Sequence, residues 1–313
     1  MRACTQKIAE THPVLCKYDF MKNLVFDIKE PVKLLDFLFS AMPDKSRTTV
    51  KSYLTHRQVL VNHLVSTQFD LALKPGDRVE ISAEKGKAEF RHAMMRMVYE
   101  DDYLIVIDKK YGLLSIATDK IIGKTAYHIL SEYVKQEDPR NRIFVLHRLD
   151  RETSGLMMFT KSQEIQERLQ SNWSENVTDR KYYAVVEGIF EKPEGTLTSY
   201  LAENKAFKVY ATTKDEGKEA ILEYKVLKTN PDYSLLEIGL ETGRKNQIRA
   251  QLESVKHPIT GDKKYGAQTN AVGRVALHAG KIAFVHPVTG EEMAFESPLP
   301  YKFHALFDRR RRK

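Results

Sequence analysis

Apolar positions in the first part of the chain change their period several times, and each change marks an element. Leu24, Phe26 and Ile28 alternate with polar neighbours, the two-residue period of a half-buried strand. Val32, Leu34, Leu35, Leu38 and Phe39 then fall at helical spacing, and Val50, Tyr53 and Leu54 repeat it. Ser46 stands where an N-cap hydroxyl would close the first turn of that second helix. Val59-Leu60-Val61-Asn62 reads as a short strand, and Lys74-Pro75-Gly76-Asp77 as a turn before Val79-Glu80-Ile81. Helix, helix and hairpin make one small unit over residues 23–84. Residues 1–22 precede it as an arm without a clear period.

Beyond a charge-rich linker, residues 85–97, the pattern becomes strand-dominated and defines a second domain over residues 98–313. Val98-Tyr99, Asp101-Asp102 and the run Tyr103 to Ile107 predict a hairpin. Tyr182 to Glu187, Ala220 to Leu227 and Leu235 to Leu240 predict further strands. Two helices interrupt them: Ala126, Ile129, Leu130, Tyr133 and Val134 form one apolar stripe. Ile165, Leu169 and Trp173, behind Ser162, form the other. Runs of strands with a few inserted helices predict an α+β domain built on a largely antiparallel mixed sheet.

Composition narrows the class. With 42% hydrophobic and 29% charged residues the chain reads as globular. It has no apolar run of about 18 residues, so no membrane-spanning helix is expected. The first residues lack the apolar block of a secretory signal, and the only cysteines are Cys4 and Cys16, which fits a reducing cytoplasm. Fifty Lys plus Arg against 42 Asp plus Glu leave a net charge of +8 and a pI near 9.2. That modest excess is compatible with a nucleic-acid partner and equally with an ordinary solvated surface. The cationic tail Arg309 to Lys313 reads as a frayed, solvated end. His12 between Cys4 and Cys16 offers three ligands at irregular spacing, so no metal site is expected.

One segment concentrates polar chemistry between two apolar runs: Leu146-His147-Arg148-Leu149-Asp150-Arg151-Glu152-Thr153-Ser154-Gly155-Leu156. Polar groups placed between buried strands need partners, which makes such a loop a candidate site. The residue pattern alone leaves a hydrogen-bonded structural turn ahead of that reading.

The same residues, however, resemble the signature of the RluA family of pseudouridine synthases: His-Arg-Leu-Asp followed by Thr-Ser-Gly-Leu. Other blocks resemble that family in the same order. They are Lys109 to Leu114 (with Lys110 where proline is usual), Lys181-Tyr182-Tyr183-Ala184-Val185, and Leu240 to Arg249. In the last of these, Lys245-Asn246 replaces the usual Thr-His. His257-Pro258-Ile259, Gly261-Asp262, Tyr265-Gly266, Leu277-His278-Ala279 and His286-Pro287 continue the likeness over about residues 98 to 300. The N-terminal unit, from Pro31 to Ser82, resembles the αL RNA-binding module of a small-subunit ribosomal protein. Arg57 and His63 stand there at turn positions where glycine is usual.

The resemblance implies an isomerase that converts uridine in RNA to its carbon-linked isomer without cofactor or metal. It implies Asp150 as the covalent nucleophile, attacking either base or sugar, on a uridine flipped out of its stack. Tyr183 would be the stacking platform, and Arg148 would fill the vacated stack or touch phosphate. Ile248 would pack on the base, although it shares a stripe with Leu252 and Val255. Arg249 would pair with Asp150. In the N-terminal module, Arg47, Lys51 and Arg57 would contact phosphate. Ribosomal RNA is the favoured substrate, with transfer RNA as the alternative, and no required protein partner is evident. Two rivals remain: a non-catalytic RNA-binding protein, and a glycoside-cleaving hydrolase using Asp150 with Glu152. The second is the weaker, since paired carboxyls stand about 5–9.5 Å apart across the substrate bond and near neighbours on one loop rarely do so.

Overall fold

The computed structural model describes residues 23–83, 90–117 and 124–308. The arm, the first five residues of the linker, the cationic tail and the Cys4–His12–Cys16 group lie outside the described residues. The chain divides into two compact units, with the second beginning at Phe90.

In the smaller unit, helices Leu34–Ala41 and Arg47–Thr55 pack on a four-stranded sheet. Its strand order is Leu24–Asp27, Arg78–Ile81, Val59–Val61, Leu64–Val65. Leu34, Leu38, Val50, Leu54, Val59, Val79 and Ile81 form its core, each 5% exposed or less, as the periodicity predicts. The Ser46 hydroxyl accepts the Thr49 N–H at 3.1 Å and caps the second helix. Val32 belongs to a two-residue strand with Lys33 rather than to the first helix. Arg57 and His63 adopt φ of +56° and +68°. The turns therefore keep a glycine-favouring geometry without glycine, at about 1–2 kcal/mol of strain per residue.

In the larger unit a mixed sheet of eleven strands runs through the described residues. Its main path is Val209–Thr212, Glu194–Glu203, Lys218–Thr229, Tyr233–Leu240, Asp179–Glu187, Leu277–Val285, Ser154–Thr160, Leu104–Lys109, Met95–Glu100. Neighbours are antiparallel except Ser154–Thr160 against Leu277–Val285, which run parallel. Ser154–Thr160 is buried at every position, which explains its unbroken apolar run after Gly155. Alternate residues of Leu104–Lys109 feed two cores, with Ile105 and Ile107 in one and Leu104 and Val106 in the other.

Three details depart from the sequence pattern. Met95–Glu100 is already a strand, so the expected linker gives its last residues to the sheet. The second expected helix breaks after Gln163–Ser171, and Trp173 starts a separate turn, Trp173–Asn176. Strands Glu194–Glu203 and Leu277–Val285 were not predicted.

Candidate active site

The segment from His147 to Thr153 leaves the sheet and returns to it at Ser154. Two buried groups fix its backbone. Lys109, fully buried, donates from Nζ to the carbonyls of Thr153 (2.7 Å), Asp150 (3.3 Å) and Arg151 (3.5 Å). It also reaches Leu113 (2.9 Å) and Lys110 (3.1 Å), tying the loop to the preceding turn. Burial pushes the Lys109 ammonium down to about 8, while the charges of Asp150 and Glu152 oppose that fall. Ser115 Oγ donates to the Leu149 carbonyl at 2.6 Å and accepts the Leu149 N–H at 3.1 Å. Gly155 closes the loop at φ +113°, and a Cβ there would sit 2.1 Å from the Ala279 carbonyl oxygen. Only glycine lets the two parallel strands meet at that point.

Asp150 leaves this loop with its side chain 31% exposed, at the edge of a small open cleft. Arg148, Tyr182, Leu240, Arg244, Asn246, Ile248 and Leu277 surround it there. The opposite wall is helix Gln247–Ser254 and the loop before it. Arg249, nearly buried, sits on that helix's first turn and donates from Nη1 to Asp150 Oδ2 at 2.9 Å. Its Nε and Nη2 grip the two oxygens of Asp262 at 2.6 and 2.8 Å. Burial works against the Arg249 charge, and the Asp262 and Asp150 carboxylates outweigh it, so its pKa lies above the ordinary value. The guanidinium also lies 4.7 Å over the ring of Tyr265, which is itself fully buried.

Asn246 completes this wall from the left-handed region, φ 50° and ψ 24°. Its amide lies between Asp150 and Tyr265. With the amide oxygen accepting from Tyr265 Oη at 3.0 Å, the nitrogen donates toward Asp150 Oδ1 and Oδ2, both at 2.9 Å. The reverse orientation would set the amide oxygen against a carboxylate, so the hydrogen-bond network assigns the first.

Of the sequence-predicted site residues, the structure gathers Arg148, Asp150, Ile248 and Arg249 around one cleft. Arg148 is exposed at its mouth, and Ile248 is buried in its wall. Tyr183 is not among them. In strand Asp179–Glu187 its side chain faces the other way, against Gly280 and within hydrogen-bond reach of Glu237. Tyr182, one residue earlier, faces the cleft and is 9% exposed. The tyrosine expectation is therefore corrected to Tyr182, because successive strand residues point to opposite faces. The available signal was the strand's phase: Tyr183 shares its parity with Lys181 and Glu187, Tyr182 with Ala184 and Val186.

Lys109, Asn246, Asp262 and Tyr265 fell inside quoted sequence blocks without an assigned role. Nothing in their local sequence shows that they meet at Asp150, because their contacts span up to 112 positions (150 to 262) through Arg249. Glu152, the second carboxylate of the hydrolase reading, pairs with Arg151 at 2.8 Å and does not line the cleft. Among the described residues no His, Cys, Asp and Glu cluster is arranged to hold a metal. Arg47 and Lys51 are exposed on the N-terminal unit's second helix, with Arg47 4.9 Å over the Phe39 ring, and Arg57 is half-buried just beyond it.

Residues 103–254 match the family model described as RNA pseudouridylate synthase. The uncharacterized RNA pseudouridine synthase YlyB of Bacillus subtilis is 32% identical over 88% of this chain and 93% of its own. The ribosomal large subunit pseudouridine synthase D of Haemophilus influenzae is 30% identical over 87% and 89%. Among solved structures, human RNA pseudouridylate synthase domain containing 4 superposes with a TM-score of 0.55 at 22% identity, a likeness of fold. It covers 67% of this chain and 92% of its own. The chain belongs to the RNA pseudouridine synthases, which makes it an RNA-modifying isomerase. No helix among the described residues is long and apolar enough to cross a membrane.

Proposed function

We propose that this chain isomerises uridine at specific positions of structured ribosomal RNA, with Asp150 as the covalent nucleophile acting on a base turned out of its helix. The observation that carries the proposal is the placement of Asp150. It is a part-exposed carboxylate, backed by a loop tied down by Lys109 and Ser115 and braced by Arg249, at a cleft with no second carboxylate in its lining.

Isomerisation needs the N1–C1′ bond to break, the uracil to turn, and a C5–C1′ bond to form. The proton leaving C5 is matched by the one gained at N1, so no external oxidant or reductant enters. A carboxylate serves as the transient partner, adding to the base or to C1′ and leaving unchanged. Tyr182 offers its ring as a stacking platform, and Ile248 and Leu277 offer apolar walls to the base. Arg148, exposed at the mouth, takes the vacated stack or a phosphate. Arg47, Lys51 and Arg57 of the N-terminal αL-type module add phosphate contacts outside the cleft. The ribosomal choice is supported by relatives named as large ribosomal subunit enzymes.

The test is Asp150→Asn, near-isosteric but without nucleophilic charge. It is expected to bind RNA as wild type does and to form no pseudouridine in single-turnover assays on unmodified ribosomal RNA. Turnover at even about a thousandth of the wild-type rate, a barrier increase of about 4 kcal/mol, would remove Asp150 from the nucleophile's role. Carbodiimide mapping of ribosomal and transfer RNA, with and without the enzyme, decides the substrate. Modification confined to transfer RNA overturns the ribosomal assignment.

A further inference from the structure

Arg249 leaves the positioning of Asp150 unfinished. Its fork closes on Asp262 through Nε and Nη2, so only Nη1 remains for Asp150, at a single oxygen, Oδ2. One hydrogen bond fixes a point but not a plane, and a carboxylate held at one oxygen still turns about its Cβ–Cγ bond. Among the described residues the only donor aimed at Oδ1 is the Asn246 amide.

We propose that Asn246 is a positioning residue that sets the plane of the Asp150 carboxylate, and that Tyr265 in turn sets the amide. The inference rests on Asp150 being the nucleophile. Three observations carry it. Asn246 precedes helix Gln247–Ser254 in the N-cap position, yet its side chain makes no capping bond to that helix. The ordinary structural use of asparagine at this position is therefore absent. Its backbone lies in the left-handed region, where most side chains are disfavoured and Asn, Asp and His are tolerated best. That conformation aims the side chain across the cleft instead of along the helix.

The third observation is direction. The Val209 N–H donates to Tyr265 Oη at 3.3 Å, which leaves the tyrosine proton for Asn246 Oδ1 at 3.0 Å and the amide N–H groups for Asp150. Every donor in this chain points toward the carboxylate. Tyr265 is fully buried, so water does not compete for its hydroxyl. Its ring also carries the Arg249 guanidinium, so one side chain orients both groups that touch Asp150. With both oxygens engaged, the lone pair that attacks faces the cleft before substrate arrives, which shortens the search for a reactive geometry.

The experiment compares wild type with Asn246→Gly, Asn246→Asp, Asn246→His and Tyr265→Phe. It reads single-turnover rate, RNA affinity and Tm on in vitro transcribed large-subunit ribosomal RNA. Glycine keeps the backbone conformation and removes the donor. It is expected to slow the chemical step about 10- to 100-fold with RNA affinity and Tm unchanged. Aspartate keeps the size and the left-handed preference but faces Asp150 with a second carboxylate, so it is expected to be at least as slow. A packing role would be restored by aspartate. Histidine tolerates the same backbone and carries an N–H donor, and is expected to recover to within about tenfold of wild type. Tyr265→Phe keeps the ring beneath Arg249, frees the amide, and is expected to fall between wild type and glycine.

If glycine and aspartate both react within about threefold of wild type while Asp150→Asn is inactive, the positioning role is overturned and the nucleophile stands. Recovery by aspartate, or loss by histidine equal to that by glycine, overturns it as well. An active Asp150→Asn removes the reading on which this inference depends.

Discussion

Cations serve opposite purposes in the two units of this chain. Arg47 and Lys51 of the N-terminal unit stand exposed on one helix face, four residues apart. Lys109 and Arg249 of the catalytic unit are almost without exposure, and each is held by hydrogen bonds to groups of its own chain. A charge meant for a polyanion stays hydrated until its partner displaces the counterions. A charge meant to hold a reacting group must be immobile beforehand, which requires burial, and burial requires a partner on every donor. The difference predicts that substitutions in the first set change binding in proportion to salt, and in the second set change structure and rate.

The largest effect is expected from Asp262→Ala. It leaves Arg249 buried with Asp150 as its only carboxylate, so about 3–5 kcal/mol of stability should be lost along with activity. Chemical denaturation and single-turnover rates check it. A fully stable, active variant would mean that Arg249 keeps its place without its fork. Tyr182→Ala should follow, weakening flipped-base binding by about 1–3 kcal/mol, whereas Tyr182→Phe keeps the ring and most activity. Tyr183→Ala, across the sheet from the cleft, should leave the rate near wild type. The reverse ranking would restore the assignment drawn from sequence.

In the N-terminal unit, Arg47→Ala, Lys51→Ala and Arg57→Ala should each leave Tm and the saturated rate unchanged. Each lost phosphate contact lowers the slope of log affinity against log salt by about 0.7 to 0.9. Arg57 has a second consequence, because alanine keeps the strain of its positive φ and Arg57→Gly should relieve it. A salt slope that stays constant through all three would show that the module's basic face does not meet RNA.

A pH dependence of stability is also expected, at Lys109. In the folded chain its proton leaves near pH 8, and in the unfolded chain near 10.5. Between those values the folded state binds fewer protons, so stability rises with pH across that window. Lys109→Met lacks this titration. The Tm of wild type minus that of Lys109→Met, a signed gap, is therefore expected to rise from pH 7.5 to pH 9.5. A gap that falls over this range would show that the folded chain holds the proton more tightly than its burial implies.

Much of this site was legible because it is contiguous in sequence. The polar cluster around Asp150 lies between two apolar runs, and Ile248 and Arg249 fall in one block, so the resemblance of these contiguous blocks to the family signature located them. The α+β class and the small unit's core followed from period alone, since two- and 3.6-residue repeats map directly onto strand and helix faces. Tyr182 was missed by one position. Two adjacent tyrosines in a strand are equivalent as composition and opposite in space, and only the pairing of Tyr182 with Ile238 and Ala279 decides which faces the cleft.

What the sequence by itself determined is therefore the period of the helices and strands it predicted and the chemical identity of the loop that carries Asp150. What only the tertiary structure decided is how that carboxylate is held. Lys109 reaches it through backbone carbonyls 41 to 44 residues away, and Arg249 through a side chain 99 residues away. Asn246 joins them through a backbone conformation that no periodicity encodes. The physical reason is range. Periodicity reports whether a residue is turned toward the interior, whereas hydrogen bonds act over about 3 Å between groups whose separation along the chain is unrestricted.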